Sequence, residues 1–186
     1  MQNKNILRKY FFDKRSRLTL AEIQKKSRQI TDNLFALKEL DNKINYAAYL
    51  SVNNEVDTTY ILKVLFKENK NILMPCFLHK INSYRFVRFS KHARLEEGPF
   101  KISQPKNPII ADSQIIQVAL LPGVAFSPSG IRLGYGKGVF DKLLSKSKAV
   151  KIGLAYDFQI VDEIPKEKHD LIMDFVITES QIIKTS

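Results

Sequence analysis

Apolar residues recur at helical spacing from the first residues of the chain. Over residues 4–17 the stripe is Ile6, Leu7, Tyr10, Phe11 and Leu18, at separations that predict an amphipathic helix. Thr19 stands three residues before Glu22, the spacing of a capping box. It opens a second helix to about Leu37, with Leu20, Ile23, Ile30, Leu34 and Leu37 inward. The period then shortens. Residues 43–50 (KINYAAYL) predict a first strand, and residues 51–55 a loop at its carboxyl end. Asp57 or Thr58 caps a helix to about Asn69, with Ile61, Leu62, Leu65 and Phe66 buried. Residues 71–77 (NILMPCF) predict a strand that Pro75 either ends or confines to a sheet edge. Residues 83–89 (SYRFVRF) alternate in period two, as a half-polar strand does. Residues 96–105 read as irregular, punctuated by Gly and Pro. Apolar runs at 115–121, 149–156 and 175–178 predict three further strands. Strands alternating with helices predict a single α/β domain over residues 1–186, a three-layer α/β/α arrangement with a mostly parallel sheet and helices on both faces.

Between two of these strands lies the stretch with the most chemistry, LLPGVAFSPSGIRLGYGKGVFDKLL, residues 120–144. Pro122-Gly123 ends an apolar run, and Ser127-Pro128-Ser129-Gly130 is turn chemistry. Gly134, Gly136 and Gly138 then alternate with other residues, flanked by Arg132 and Lys137. Glycines let backbone N–H groups approach an anion without an intervening Cβ. Val139 begins a predicted helix, whose free N–H groups add partial positive charge. Asp141, in its first turn, is a hard oxygen ligand suited to Mg²⁺. Together these residues predict a metal–polyphosphate site. The pattern is neither a Walker A loop, since Ile131 stands six before Lys137, nor the dinucleotide fingerprint, since Val139 occupies the third glycine position.

Charge and composition narrow the function classes. Hydrophobic residues make up 44% of the chain, too many for a disordered one. The single cysteine, Cys76, permits no internal disulfide and fits a reducing compartment; it reads as a small buried residue. The N-terminus lacks the apolar core of a signal peptide, and no run approaches the ~20 apolar residues of a membrane span. A cytoplasmic protein is expected. Lys and Arg number 30 against 19 acids, a net charge of +11 that attracts anions of any kind. The cations are spread along the chain rather than blocked, so they read first as solvated faces. His79 and His92 read as surface residues.

Two further positions carry alternatives. Lys4 and Arg8 share one helical face and either clamp phosphates together or belong to an ordinary basic helix. Glu55 follows the first strand at the end where α/β sheets bind ligands. It either accepts two hydrogen bonds from a donor pair on a ligand or caps the next helix.

The stretch PGVAFSPSGIRLGYGKGVFDKLL resembles the signature of 5-formyltetrahydrofolate cyclo-ligases, close to PG-x-x-F-D-x-x-G-x-R-L-G-x-G-x-G-Y-Y-D. Ser127 replaces the acid after Phe126, and Val139-Phe140 replaces the Tyr-Tyr pair. The opening K-x-x-L-R segment is matched by Lys4, Leu7 and Arg8, and a G-x-x-x-I-x-x-P segment by Gly98, Ile102 and Pro105. H-D-x-x-x-D-x-x-I-T-E from His169 resembles the family's terminal motif, with Met173 replacing Leu. The resemblance implies ATP contacts at Lys4, Leu7, Arg8, Arg132, Leu133, Gly134, Tyr135, Gly136, Lys137, Gly138, Val139 and Phe140. Arg132 and Lys137 would be catalytic, Leu50, Glu55 and Tyr135 would contact the folate, and Asp141 and Asp170 would hold Mg²⁺. Asp174 would serve structure. His169 either bonds a phosphate or holds its turn. The implied reaction is the Mg²⁺- and ATP-dependent closure of 5-formyltetrahydrofolate, with or without a polyglutamate tail, to 5,10-methenyltetrahydrofolate. No obligate protein partner, membrane or nucleic acid is implied. A relative using ATP on another substrate, or a basic nucleic-acid-binding protein, are the competing readings.

Overall fold

Residues 3–167 and 170–185 are described in the structure, a computed structural model. Asn3 caps helix α1 (Lys4–Ser16) by accepting a hydrogen bond from the Asn5 N–H. Only Leu7 and Phe11 of the predicted stripe are buried; Ile6, 66% exposed, and Tyr10 face outward. The helix rests on a small cluster of Val124, Ala125, Leu133 and Ile164, a narrower support than a full layer. The third buried position on its inner face belongs to Arg15.

The Thr19–Glu22 capping box forms as predicted and opens α2 (Leu20–Phe35). Ile23, Ser27, Ile30, Thr31 and Leu34 face inward. Leu20, at the first helical position, is 69% exposed instead. Then come β1 (Asn45–Ala47), α3 (Thr59–Lys67), β2 (Asn71–Leu78), β3 (Ser83–Phe89), β4 (Leu95–Glu97), β5 (Ser103–Pro105), β6 (Val118–Pro122), β7 (Ala125–Phe126), β8 (Arg132–Leu133), α4 (Val139–Leu143), β9 (Val150–Leu154), β10 (Phe175–Ile177) and β11 (Ile182–Lys184).

Seven strands form the main sheet in the order β11-β10-β9-β6-β1-β2-β3. The five inner strands are mutually parallel, and the outer two, β11 and β3, are antiparallel. Alternate side chains feed two cores. Tyr46, Ile72, Val118, Leu120 and Ile152 pack with Ile30, Leu34, Ile61 and Leu65 of α2 and α3. Ala47, Leu73, Ala119, Leu121 and Val176 pack on the other face with Phe126 and Leu144. Two helices thus cover one face, and short α4 with the β7–β8 hairpin covers the other.

Three differences from the sequence reading stand out. Pro75 lies inside β2, a non-edge strand, paired with Phe86 of β3. It is tolerated because β1 pairs only as far as Leu73, so no neighbour on that side requires a Pro75 N–H. Residues 96–105 include a two-stranded ladder, β4 with β5, around a turn at Pro99–Lys101. Finally, β11 adds an edge strand after the last one predicted.

Gly153 of β9 is fixed by packing. A Cβ there would lie 2.3 Å from the ring of Phe126, which is fully buried. Gly153→Ala is expected to destabilise the protein by about 1–3 kcal/mol through overpacking, read as a lowered urea midpoint at unchanged m-value.

Candidate active site

The sheet order reverses between β1 and β6, and the crevice beyond their carboxyl ends is where such sheets bind ligands. A cleft of about 1280 Å³ opens there. Its walls come from α1, the loop after β1, the β4–β5 segment, β8 with the following glycine loop, α4, and the chain around Asp170.

One half of the cleft is charged. Gly136 and Gly138 have φ of 89° and 61°, so the loop takes a left-handed path that a side chain would strain. Arg8 Nε donates to the Gly134 carbonyl at 2.9 Å, tying α1 to this loop. Arg132 Nη2 meets Asp141 Oδ2 at 2.7 Å, and its Nη1 donates to the Pro122 carbonyl at 3.2 Å. Its Nε is buried with no partner among the described residues. Lys4 Nζ contacts Glu167 at 2.8 Å and Asp170 at 3.1 Å. Burial works to lower the Lys4 pKa, but these two carboxylates outweigh it and hold the ammonium above its ordinary value. Lys137 is exposed at the mouth, its Nζ 4.9 Å from the centre of the Phe100 ring.

The other half is enclosed and aromatic. Glu55 is 5% exposed. Its Oε1 accepts from the Tyr135 hydroxyl at 2.6 Å and its Oε2 from the Val52 N–H at 3.0 Å. Burial pushes the Glu55 carboxyl above the usual carboxylate range, opposed by the Tyr135 and Val52 hydrogen bonds and by the charge of Arg15. Arg15 also donates to the Tyr135 hydroxyl. Burial, then the nearby Glu55 carboxylate, moves the Tyr135 phenol far above its ordinary range. Leu50 lies on the same wall.

Every residue singled out from the sequence for this site reaches the cleft wall except Leu7, which is buried beneath it in the α1 core. Asp174 accepts from the Lys151 N–H at 2.7 Å and braces β9. His169 lies outside the described residues. Phe140 packs against both sheet faces rather than presenting a hydroxyl. Arg15 and Phe100 went unnoticed. Arg15 carried a signal, since Leu7, Phe11 and Arg15 are four apart on one stripe. Among the described residues no three His, Cys, Asp or Glu side chains converge on one point. Three carboxylates, Asp141, Glu167 and Asp170, border the charged half, and the two aspartates are those the sequence singled out. That donor set fits a hard divalent cation that takes its remaining oxygens from phosphate and water. Among the described residues no helix is long and apolar enough to cross a membrane.

Residues 1–179 match the 5-formyltetrahydrofolate cyclo-ligase family. The 5-formyltetrahydrofolate cyclo-ligase of Saccharomyces cerevisiae is 29% identical over 202 residues, covering 95% of each chain. That of Mycoplasma genitalium is 31% identical over 180 residues, covering 95% of this chain and 98% of the relative. The solved structure of the Aquifex aeolicus 5,10-methenyltetrahydrofolate synthetase superposes with a TM-score of 0.86 at 31% identity, covering 97% of this chain and 92% of the other. The Mycoplasma pneumoniae synthetase superposes with a TM-score of 0.77 at 25% identity, covering 96% and 99%.

Proposed function

The chain belongs to the 5-formyltetrahydrofolate cyclo-ligase family, and we propose that it uses Mg²⁺ and ATP to close 5-formyltetrahydrofolate into 5,10-methenyltetrahydrofolate, releasing ADP and phosphate. One observation carries this reading. Tyr135 belongs to the glycine loop by its backbone, while its hydroxyl rests on Glu55, 80 residues away in sequence. The phosphate half and the ring-recognising half are therefore one cleft.

The chemistry needs positioning more than a protein nucleophile. The formyl oxygen attacks the γ-phosphorus of ATP, and ADP leaves. The resulting phosphate ester sits on an iminium carbon. Nitrogen 10 attacks that carbon and releases its proton, phosphate departs with the former formyl oxygen, and the ring closes. Glu55 presents carboxylate lone pairs to the two N–H donors of an amino-pyrimidinone edge. Lys4, Arg8, Arg132 and Lys137 take up the negative charge of the phosphates. Arg132 and Lys4 then exchange their present carboxylate partners for phosphate oxygens. Asp141 and Asp170 would hold Mg²⁺, which when bound would neutralise phosphate charge. The reading places the enzyme in the cytoplasm, in keeping with its single cysteine, and needs no protein partner.

The test is growth of methenyltetrahydrofolate absorbance with protein, 5-formyltetrahydrofolate, Mg²⁺ and ATP. A rise that disappears without ATP supports the proposal. Folded protein that binds ATP and forms no product overturns its folate half. Lys137→Ala is expected to lower turnover by about 10²-fold without moving the melting temperature, because Lys137 is exposed and, among the described residues, rests on the Phe100 ring alone. Wild-type turnover in that variant would remove Lys137 from the reaction.

A further inference from the structure

Arg15 is 2% exposed, yet among the described residues no carboxylate forms an ion pair with it. Its Nη2 donates to the Tyr135 hydroxyl, and its Nη1 reaches the Gly123 carbonyl at 3.4 Å. Its Nε is buried without a partner among the described residues. The guanidinium lies 5.4 Å from the centres of the Phe12 and Tyr135 rings. As packing alone, this is a poor use of a cation. A buried charge without a counter-charge is unfavourable, and methionine would fill the same stripe of α1 without that penalty.

The hydrogen-bond logic gives the charge a use. A guanidinium can only donate. The Tyr135 oxygen accepts from Arg15, so its single proton is directed to Glu55 Oε1. The Val52 N–H can likewise only donate, and it occupies Oε2. Both Glu55 oxygens therefore receive protons from the protein and offer only lone pairs to the cleft. We propose that Arg15 is a positioning residue for the folate: acting through the Tyr135 hydroxyl, it fixes Glu55 as an acceptor-only carboxylate matched to a ligand edge with adjacent N–H donors. Among the described residues, Tyr49, Tyr135 and Arg15 are the titratable or charged groups that face Glu55, and Tyr156 donates to its backbone carbonyl at 3.0 Å. Arg15 is the cation in that set.

This inference rests on the cyclo-ligase reading, so its test must separate the two. The full chain is compared with Arg15→Met, Arg15→Lys and Tyr135→Phe. Calorimetry measures 5-formyltetrahydrofolate binding without nucleotide, and steady-state kinetics measure both KM values against pH. Arg15→Met is expected to weaken folate binding by roughly tenfold to a hundredfold. MgATP KM should stay within about twofold, as it should if the lost contact lies only on the ring side. The acid limb of the folate KM should move to higher pH, because the cation that favours ionised Glu55 is gone. Arg15→Lys should restore the position of that limb. If Arg15→Met does not fold, Tyr135→Phe, which cuts the bridge and keeps the cation, must show the same loss of folate binding by calorimetry without nucleotide. Unchanged folate binding and acid limb in the folded variants would overturn the inference, as would equal losses for folate and MgATP in Arg15→Met. Wild-type protein that fails to bind 5-formyltetrahydrofolate would overturn the cyclo-ligase reading instead.

Discussion

Arg132→Ala is expected to lower turnover by at least roughly 10³-fold and to destabilise the fold by about 3 kcal/mol. Arg132 is buried and holds both Asp141, at 2.7 Å, and the Pro122 carbonyl at the end of β6. Alanine would leave the Asp141 carboxylate beside a cavity, keeping the Leu171 N–H at 3.3 Å. An uncompensated charge is the main source of the loss. The second substitution Asp141→Asn should therefore recover part of the stability in the Arg132→Ala background. It should recover none of the turnover, because the cation proposed to meet phosphate is still missing. Urea denaturation and steady-state rates on the four proteins of this cycle separate the two effects. Equal stability of Arg132→Ala with and without the second change would show that the pair carries no buried charge penalty.

Glu55→Gln is expected to cut kcat/KM for the folate by roughly a hundredfold while leaving MgATP KM near wild type. The amide nitrogen must face either the Tyr135 proton or the Val52 N–H, donor against donor, and Tyr135 cannot reverse while Arg15 donates to it. The pH dependence of stability is a separate effect. Burial raises the folded-state pKa of Glu55 above its ordinary 4.5. The folded protein therefore holds that proton more tightly than the unfolded chain does. Glu55 lowers stability progressively as pH rises from about its unfolded pKa through its folded one, and the loss is complete above that. Glutamine is free of this term, so wild type and variant should differ in the pH slope of their urea midpoints within that window. Wild-type folate KM should rise as pH falls through the same window, and the variant should show no such limb. A flat wild-type profile would mean that Glu55 does not bind ligand as a carboxylate.

The parts of the site that sequence spelled out are those written in neighbouring residues. Three alternate glycines between Arg132 and Asp141 specify a loop, two cations and a carboxylate within one turn of chain. The Thr19–Glu22 box is likewise local, and it forms as read. Less was legible where a partner arrives from afar. The burial of Arg15 depends on Tyr135, 120 residues on, and the stripe of α1 narrows because the surface below it is a small hairpin cluster. Strands β4, β5 and β11 are three residues long and lie in small ladders or at an edge, too short for period two to stand out. Pro75 misled because proline removes a donor only where a neighbour wants one, and β1 has stopped by then.

The reversal of strand order that creates the cleft also sets a schedule for synthesis. β1 pairs with β2 soon after both exist, but its other neighbour, β6, aligns Val118 with Tyr46. Those partners are 72 residues apart, so at a translation rate of 5–20 residues per second β6 follows β1 by roughly 4–14 s. During that interval β1 has an open, apolar edge, and the cleft has one lip. The nascent chain is thus most exposed to wrong pairing at the seam where the finished enzyme would bind its substrates.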